Sequence, residues 1–119
     1  MKDNNLFDRA VKASARYCEL KGYEVLEQNW SPEGSDGSVP LIAYEDDTLV
    51  FIDVNARNGL DGFVPESETD REAMEILAAK YLAQTDLESN VEIRFDIISV
   101  VGTIGTEPDI QHIQDVALL

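Results

Sequence analysis

Apolar residues recur along this chain at two different periods, and each change of period marks a new element. Over residues 6–20, Leu6 or Phe7, Ala10, Ser14, Tyr17 and Cys18 are spaced by three or four, as on one face of an α-helix. Asn4 or Asn5 can cap its start and Gly22 can stop it. Residues 23–30 read as a strand, and the run SPEGSDG at 31–37 is dense in turn formers, which predicts a loop. Two apolar strands follow over 39–44 and 49–56, joined by Glu45, Asp46, Asp47 and Thr48. A polar connector of that length makes them an adjacent antiparallel pair.

Gly59, Gly62 and Pro65 break the pattern over 57–67 and predict a loop leading to a second helix. Thr69, with Glu72 three residues later, has the form of a capping box; Ala73, Ile76, Leu77, Lys80 and Tyr81 then supply the stripe expected to be buried. Over 91–101 the period returns to two, with Ile93, Phe95, Ile97 and Ser99 on one face and Arg94, Asp96, Ile98 and Val100 on the other. Ile110, Ile113, Val116 and Ala117 suggest a short amphipathic element over 109–118. The order helix, strand, strand, strand, helix, strand, with a short tail, predicts one α/β domain over 1–119, its mixed central sheet flanked by helices. A chain of 119 residues suffices for one hydrophobic core and not for two.

Charge changes this picture more than composition does. The net charge is −15, yet residues 1–30 are neutral, with five basic and five acidic side chains, whereas residues 31–119 hold four basic and 19 acidic ones. Nonspecific affinity for nucleic acid comes from cations that neutralise phosphates, so this surface should repel DNA and RNA. An acidic surface also keeps a protein dispersed without any partner. No apolar run is long enough to span a bilayer, and MKDNNLFDRA lacks the basic-then-apolar pattern of a signal peptide, so a cytoplasmic location away from membranes is expected. The single cysteine, Cys18, falls on the first helix's apolar stripe and is expected in the core.

The candidate chemistry lies in GSVPLIAYEDDTLVFIDVNAR, residues 37–57. Alternation along the second of its strands puts Val50, Ile52 and Val54 on one face and Asp53 and Asn55 on the other. A divalent-metal nuclease needs carboxylates on neighbouring strands to hold the ion, with a lysine or second metal nearby to position and acidify the attacking water.

The chain resembles the YraN family over nearly its whole length. The resemblance rests on Ala13 to Tyr17, Gly22-Tyr23-Glu24-Val25-Leu26 with Asn29, Gly37-Ser38-Val39-Pro40-Leu41-Ile42-Ala43, Leu49-Val50-Phe51-Ile52-Asp53-Val54-Asn55-Ala56-Arg57, and Arg94-Phe95-Asp96-Ile97-Ile98. It implies a restriction-endonuclease-like fold of the PD-(D/E)XK type. By that resemblance Pro40 stands where the family has a metal-binding Asp, Asp53 where it has Glu, Asn55 where it has Lys, and Val11 near an acidic position of its first helix. Asp53 is then the one weak metal candidate, and no cofactor is expected. Proline, which has no backbone N–H, also suggests an edge strand or a bulge at position 40. Where the family's second helix is basic, this chain has Asp70, Arg71, Glu72 and Glu75.

The remaining polar groups invite structural readings. Asp96 should pair with Arg94 or Arg57, His112 should face solvent or cap an element, and the run Glu45-Asp46-Asp47 should be a solvated turn. The function expected is therefore that of a catalytically silent nuclease-like protein acting by binding, to another protein or to its own copy. Its candidate contacts are Asp70, Glu72 and Glu75, the apolar tail from Ile110, and the edge implied by Pro40. Two alternatives stand beside it. One is a residual nuclease on structured nucleic acid, using magnesium or manganese at Asp53 with a carboxylate borrowed from Asp96, Glu45 or Asp46; the other is an acidic protein that occupies a basic, nucleic-acid-binding partner.

Overall fold

A computed structural model describes residues 5–34, 37–58, 71–85, 91–102 and 109–115. The elements are α1 (Asn5–Leu20), β1 (Glu24–Trp30), β2 (Val39–Glu45), β3 (Thr48–Asn58), α2 (Arg71–Gln84), β4 (Glu92–Gly102) and β5 (Asp109–Ile113). The strands form one sheet in the order β1-β2-β3-β4-β5, antiparallel at every junction except the parallel pairing of β3 with β4. The chain is an α/β domain with a mixed sheet between two helices, as the order of elements predicts. Sequence pattern did not resolve the C-terminal element's type: residues 109–113 form the fifth strand.

Each face of the sheet carries its own core. On one, Ala10, Val11, Ala15 and Cys18 of α1 pack with Leu41, Ala43, Val50, Ile52, Val54, Ile98 and Val100. On the other, Met74, Leu77, Ala78 and Tyr81 of α2 pack with Val39, Ile42, Leu49 and Phe51. Burial on both faces explains why β2 and β3 read as near-continuous apolar runs. Tyr81 sits edge-on to Trp30 and Phe51, with ring centroids 5.0 and 5.9 Å away. These contacts set the rotation of α2, which therefore buries Met74 and Ala78 beside Leu77 and Tyr81. Ala73, Ile76 and Lys80, expected in the buried stripe, lie exposed.

α1 ends at Gly22, whose φ of +96° only glycine adopts without strain. The N–H of Gly22 bonds to the carbonyl of Glu19 and that of Tyr23 to the carbonyl of Cys18, a Schellman pair that closes the helix and aims the chain into β1. The two-residue turn Asp46-Asp47 joins β2 to β3, its first residue at φ +54°. The expected capping box at Thr69, the loop after Asn58 and the tail beyond Asp115 lie outside the described residues.

Pro40 does not mark an edge, because β2 lies between β1 and β3. Its missing N–H is accommodated where the pairing with β3 has ended and the pairing with β1 skips one position. The pairs with β3 end at Leu41 and Ile52, and on the other side Pro40 lies opposite Asn29, between the pairs Gln28↔Leu41 and Trp30↔Val39. Asn29 has a left-handed φ of +54°. The true edges are β1 and β5.

Candidate functional site

Asp53 and Asn55 are half-buried and share a face of β3 with Phe51, whose ring lies in the α2-side core. One step beyond the pair Leu41↔Ile52 in the register with β2 comes Pro40 beside Asp53, so positions 40, 53 and 55 are neighbours in the sheet. Val11 is separate from them, buried in the α1-side core with Val54. Among the described residues, those flanking Asp53 on its own face in the sheet register are Pro40, Phe51, Asn55 and, across on β4, Ile97; none of these is a carboxylate. A hard divalent cation seeks several oxygen ligands, so this set does not fit one. Among the described residues no three His, Cys, Asp or Glu side chains are grouped to hold a metal. Glu72 and Glu75 are exposed on α2, while Asp70 lies outside the described residues.

Among the described residues, the densest polar chemistry lies on the opposite face, at the C-terminal end of α1. Asp96 on β4 shares a face with the inward-pointing Ile98 and Val100, and its side chain is fully buried. Each of its oxygens accepts two hydrogen bonds. Oδ1 accepts from Arg94 Nε at 2.9 Å and the Asp115 backbone N–H at 3.0 Å; Oδ2 accepts from Arg94 Nη2 at 2.9 Å and bonds His112 Nε2 at 2.7 Å. Burial alone would raise the pKa of Asp96, but His112, Arg94 and the Asp115 amide together hold it below the ordinary carboxylate range.

Arg94 extends the network outward. Its Nη1 donates to Glu45 Oε1 at 2.6 Å and its Nη2 to the Tyr23 hydroxyl at 2.9 Å, which also receives Gln114 Nε2 at 3.0 Å. The bond from Arg94 lowers the pKa of Glu45 despite some burial. His112 stacks edge-on against Tyr17 and Tyr23. Burial, and then the negative charge of Asp96, push the nearby Cys18 thiol up to about 11, so it is a neutral core group at physiological pH.

Of the two arginines the sequence offered to Asp96, Arg94 pairs with it, and the Arg57 side chain lies outside the described residues. His112 does not face solvent: its side chain is 3% exposed and held by Asp96. Glu45 belongs to the network, whereas Asp46 and Asp47 are exposed turn residues. Arg94 and Asp96 on one face of an apolar strand were a visible signal. The contributions of Tyr17, Tyr23, His112 and Gln114 were not, because they come from α1, the turn into β1, and β5 with the residue after it.

The fold defines a single α/β domain with a five-stranded mixed sheet and one helix on each face, the α1 side carrying a saturated buried polar network. The model of the uncharacterised protein family UPF0102 matches residues 12–100, and the chain belongs to that family, which is the YraN family. It is similar to a UPF0102 protein of Roseiflexus castenholzii, with 38% identity over 112 residues covering 91% of this chain and 89% of the relative. It is likewise similar to UPF0102 proteins of Rhodococcus opacus, 31% identical over 105 residues and 86% of each chain, and of Nocardia farcinica, 36% identical over 107 residues covering 87% and 81%. No helix among the described residues is long and apolar enough to cross a membrane.

Proposed function

We propose that this protein carries a nuclease-like scaffold without the nuclease reaction and acts by binding another protein chain. One relationship supports this reading above the others. Asp96, a buried carboxylate with no acceptor site to spare, faces α1, while positions 40, 53 and 55 on the α2 side hold Pro, Asp and Asn. Alternation along β4 directs Asp96 away from Asp53, so it cannot migrate to supply a second ligand. Asn55 is neutral and cannot stabilise the charge that develops in phosphoryl transfer.

The strongly acidic surface favours a protein partner over a nucleic acid. Exposed Glu72 and Glu75 on α2 add local negative charge where a DNA-binding surface would need cations. The test is incubation with single-stranded, double-stranded and branched DNA in magnesium or manganese. The reading expects no cleavage, and cleavage that Asp53→Ala abolishes would overturn it in favour of a residual nuclease.

A further inference from the structure

The helix α2 is apolar on two sides. One side, Met74, Leu77, Ala78 and Tyr81, is buried against the sheet. The other is centred on Ile76, which is 50% exposed, with Ala73 and Ala79 exposed three residues to either side and Glu72 and Lys80 exposed four residues to either side. Helical residues three and four apart share a face, so these five form one outward surface with Ile76 at its middle. A single exposed isoleucine needs no explanation. The placement of charge around it does, because Glu72 and Lys80 are opposite in sign and equidistant from Ile76.

That arrangement is self-complementary. A second α2 laid antiparallel, with Ile76 on the twofold axis, sets Glu72 of each copy beside Lys80 of the other and Ala73 beside Ala79. The twofold makes every favourable contact occur twice, as in an isologous interface. The two Ile76 side chains meet at the crossing and set the spacing of the axes toward the wide end of helix packing, about 10 Å, while the flanking alanines add no bulk beside them. A carboxylate accepts several hydrogen bonds at once, so Glu72 need not surrender contacts within its own chain. Among the described residues no carboxylate pairs with Lys80.

We propose that the outer face of α2 is a self-association surface, and that its occupant is α2 of a second copy of this chain, packed antiparallel. The inference rests on the reading that this protein acts by binding, and it names the partner. With 14 residues, α2 is about 21 Å long. One helix pair of that length lies at the small end of specific interfaces, so the dimer is weak and reversible. The net charge of −15 makes two copies repel at long range. Salt, which screens that repulsion, therefore strengthens self-association, whereas it would weaken the grip on a basic partner.

Sedimentation velocity over a concentration series tests the pairing, with circular dichroism melts confirming that each variant is folded. The natural chain is expected to show a reversible monomer–dimer equilibrium that tightens with added salt. Glu72→Lys and Lys80→Glu should each weaken it by about tenfold, since two attractive pairs become two repulsive ones. The double change should restore it to within about threefold of the natural chain, and Ile76→Asp should leave monomer.

Glu72→Lys is the most telling variant. It makes each chain less negative, so long-range repulsion falls and any loss must arise at the contact itself. A natural chain that stays monomeric up to millimolar concentration overturns the pairing, as does a double change that fails to recover it. A complex with a basic protein that Glu72→Lys breaks and added Lys80→Glu does not restore would give the face to a different partner, and also overturns the proposal. None of these results bears on catalysis, which the cleavage assay decides separately.

Discussion

His112 on β5 and Asp96 on β4 meet at 2.7 Å with both side chains almost wholly buried, and this contact ties the edge strand to the interior of the sheet. An ionised Asp96 can only accept, so His112 donates from Nε2. In the neutral ring, Nδ1 accepts from the Tyr17 hydroxyl at 3.3 Å, and the Tyr17 oxygen accepts from Lys21 Nζ at 3.2 Å. A line of polar contacts thus runs from a surface lysine to a buried carboxylate. Breaking it near the carboxylate matters most, because an uncompensated buried charge is costly.

Asp96→Asn is expected to destabilise the domain by about 3–5 kcal/mol, since Arg94 loses its buried counter-charge and an amide N–H₂ replaces one acceptor oxygen. His112→Ala leaves Arg94 paired and should cost less, about 1–3 kcal/mol. Urea unfolding followed by the fluorescence of Trp30 measures both. Equal stability of Asp96→Asn and the natural chain would remove the network's structural weight.

Acid should unfold the protein through the same groups. Asp96 and Glu45 both have folded pKa values below their ordinary range, so the unfolded chain binds their protons first. Their contribution is present above the ordinary carboxylate range and is lost as pH falls through the folded values. Stability should therefore be level near neutrality and decline below about pH 4 to 5, with a shallower decline in Asp96→Asn. An unchanged acid limb in that variant would assign the loss to other carboxylates.

Cys18 is 0% exposed, and its thiol is pushed up to about 11 by burial and by Asp96. A thiol reagent at pH 8 should leave it unmodified in the folded protein and react within minutes in urea. Rapid labelling of the folded chain would show that α1 opens far more readily than its packing implies.

Ser14 lies on the buried face of α1 at 0% exposure, and its hydroxyl has no hydrogen-bond partner among the described residues. Removing an unsatisfied buried hydroxyl relieves its desolvation cost, so Ser14→Ala should raise stability by about 1 kcal/mol and lift the melting temperature by several degrees. A fall in melting temperature would mean that the hydroxyl is satisfied in solution.

The elements were legible because their apolar periods are long and their stops are strong, as at Gly22 and in the Asp46-Asp47 turn. The faces of β3 and β4 followed from alternation alone. The rotation of α2 did not, because Leu77 and Tyr81 belong to two overlapping stripes, and only the rings of Trp30 and Phe51 decide which neighbours are buried with them. Pro40 suggested an edge strand or a bulge, and the edge fails because local pattern cannot show that β2 gains a neighbour on each side. His112 was misread for a similar reason: its burial depends on β5 pairing with β4, a contact that no spacing near residue 112 announces. The positions of the candidate site were visible in the sequence, but the separation of Asp96 from Asp53 by the thickness of the sheet became clear only in three dimensions.

Titration with manganese, followed by calorimetry and by the melting temperature, bears most directly on the claim that positions 40, 53 and 55 no longer make a metal site. The natural chain is expected to give no saturable heat and no shift. The triple change Pro40→Asp, Asp53→Glu and Asn55→Lys sets two carboxylates side by side, where their repulsion favours a cation between them. It should gain a manganese-dependent rise in melting temperature, equivalent to about 2.7 kcal/mol when the metal reaches a hundred times its dissociation constant. Strong manganese binding by the natural chain, abolished by Asp53→Ala, would contradict the account and show a site remodelled rather than lost.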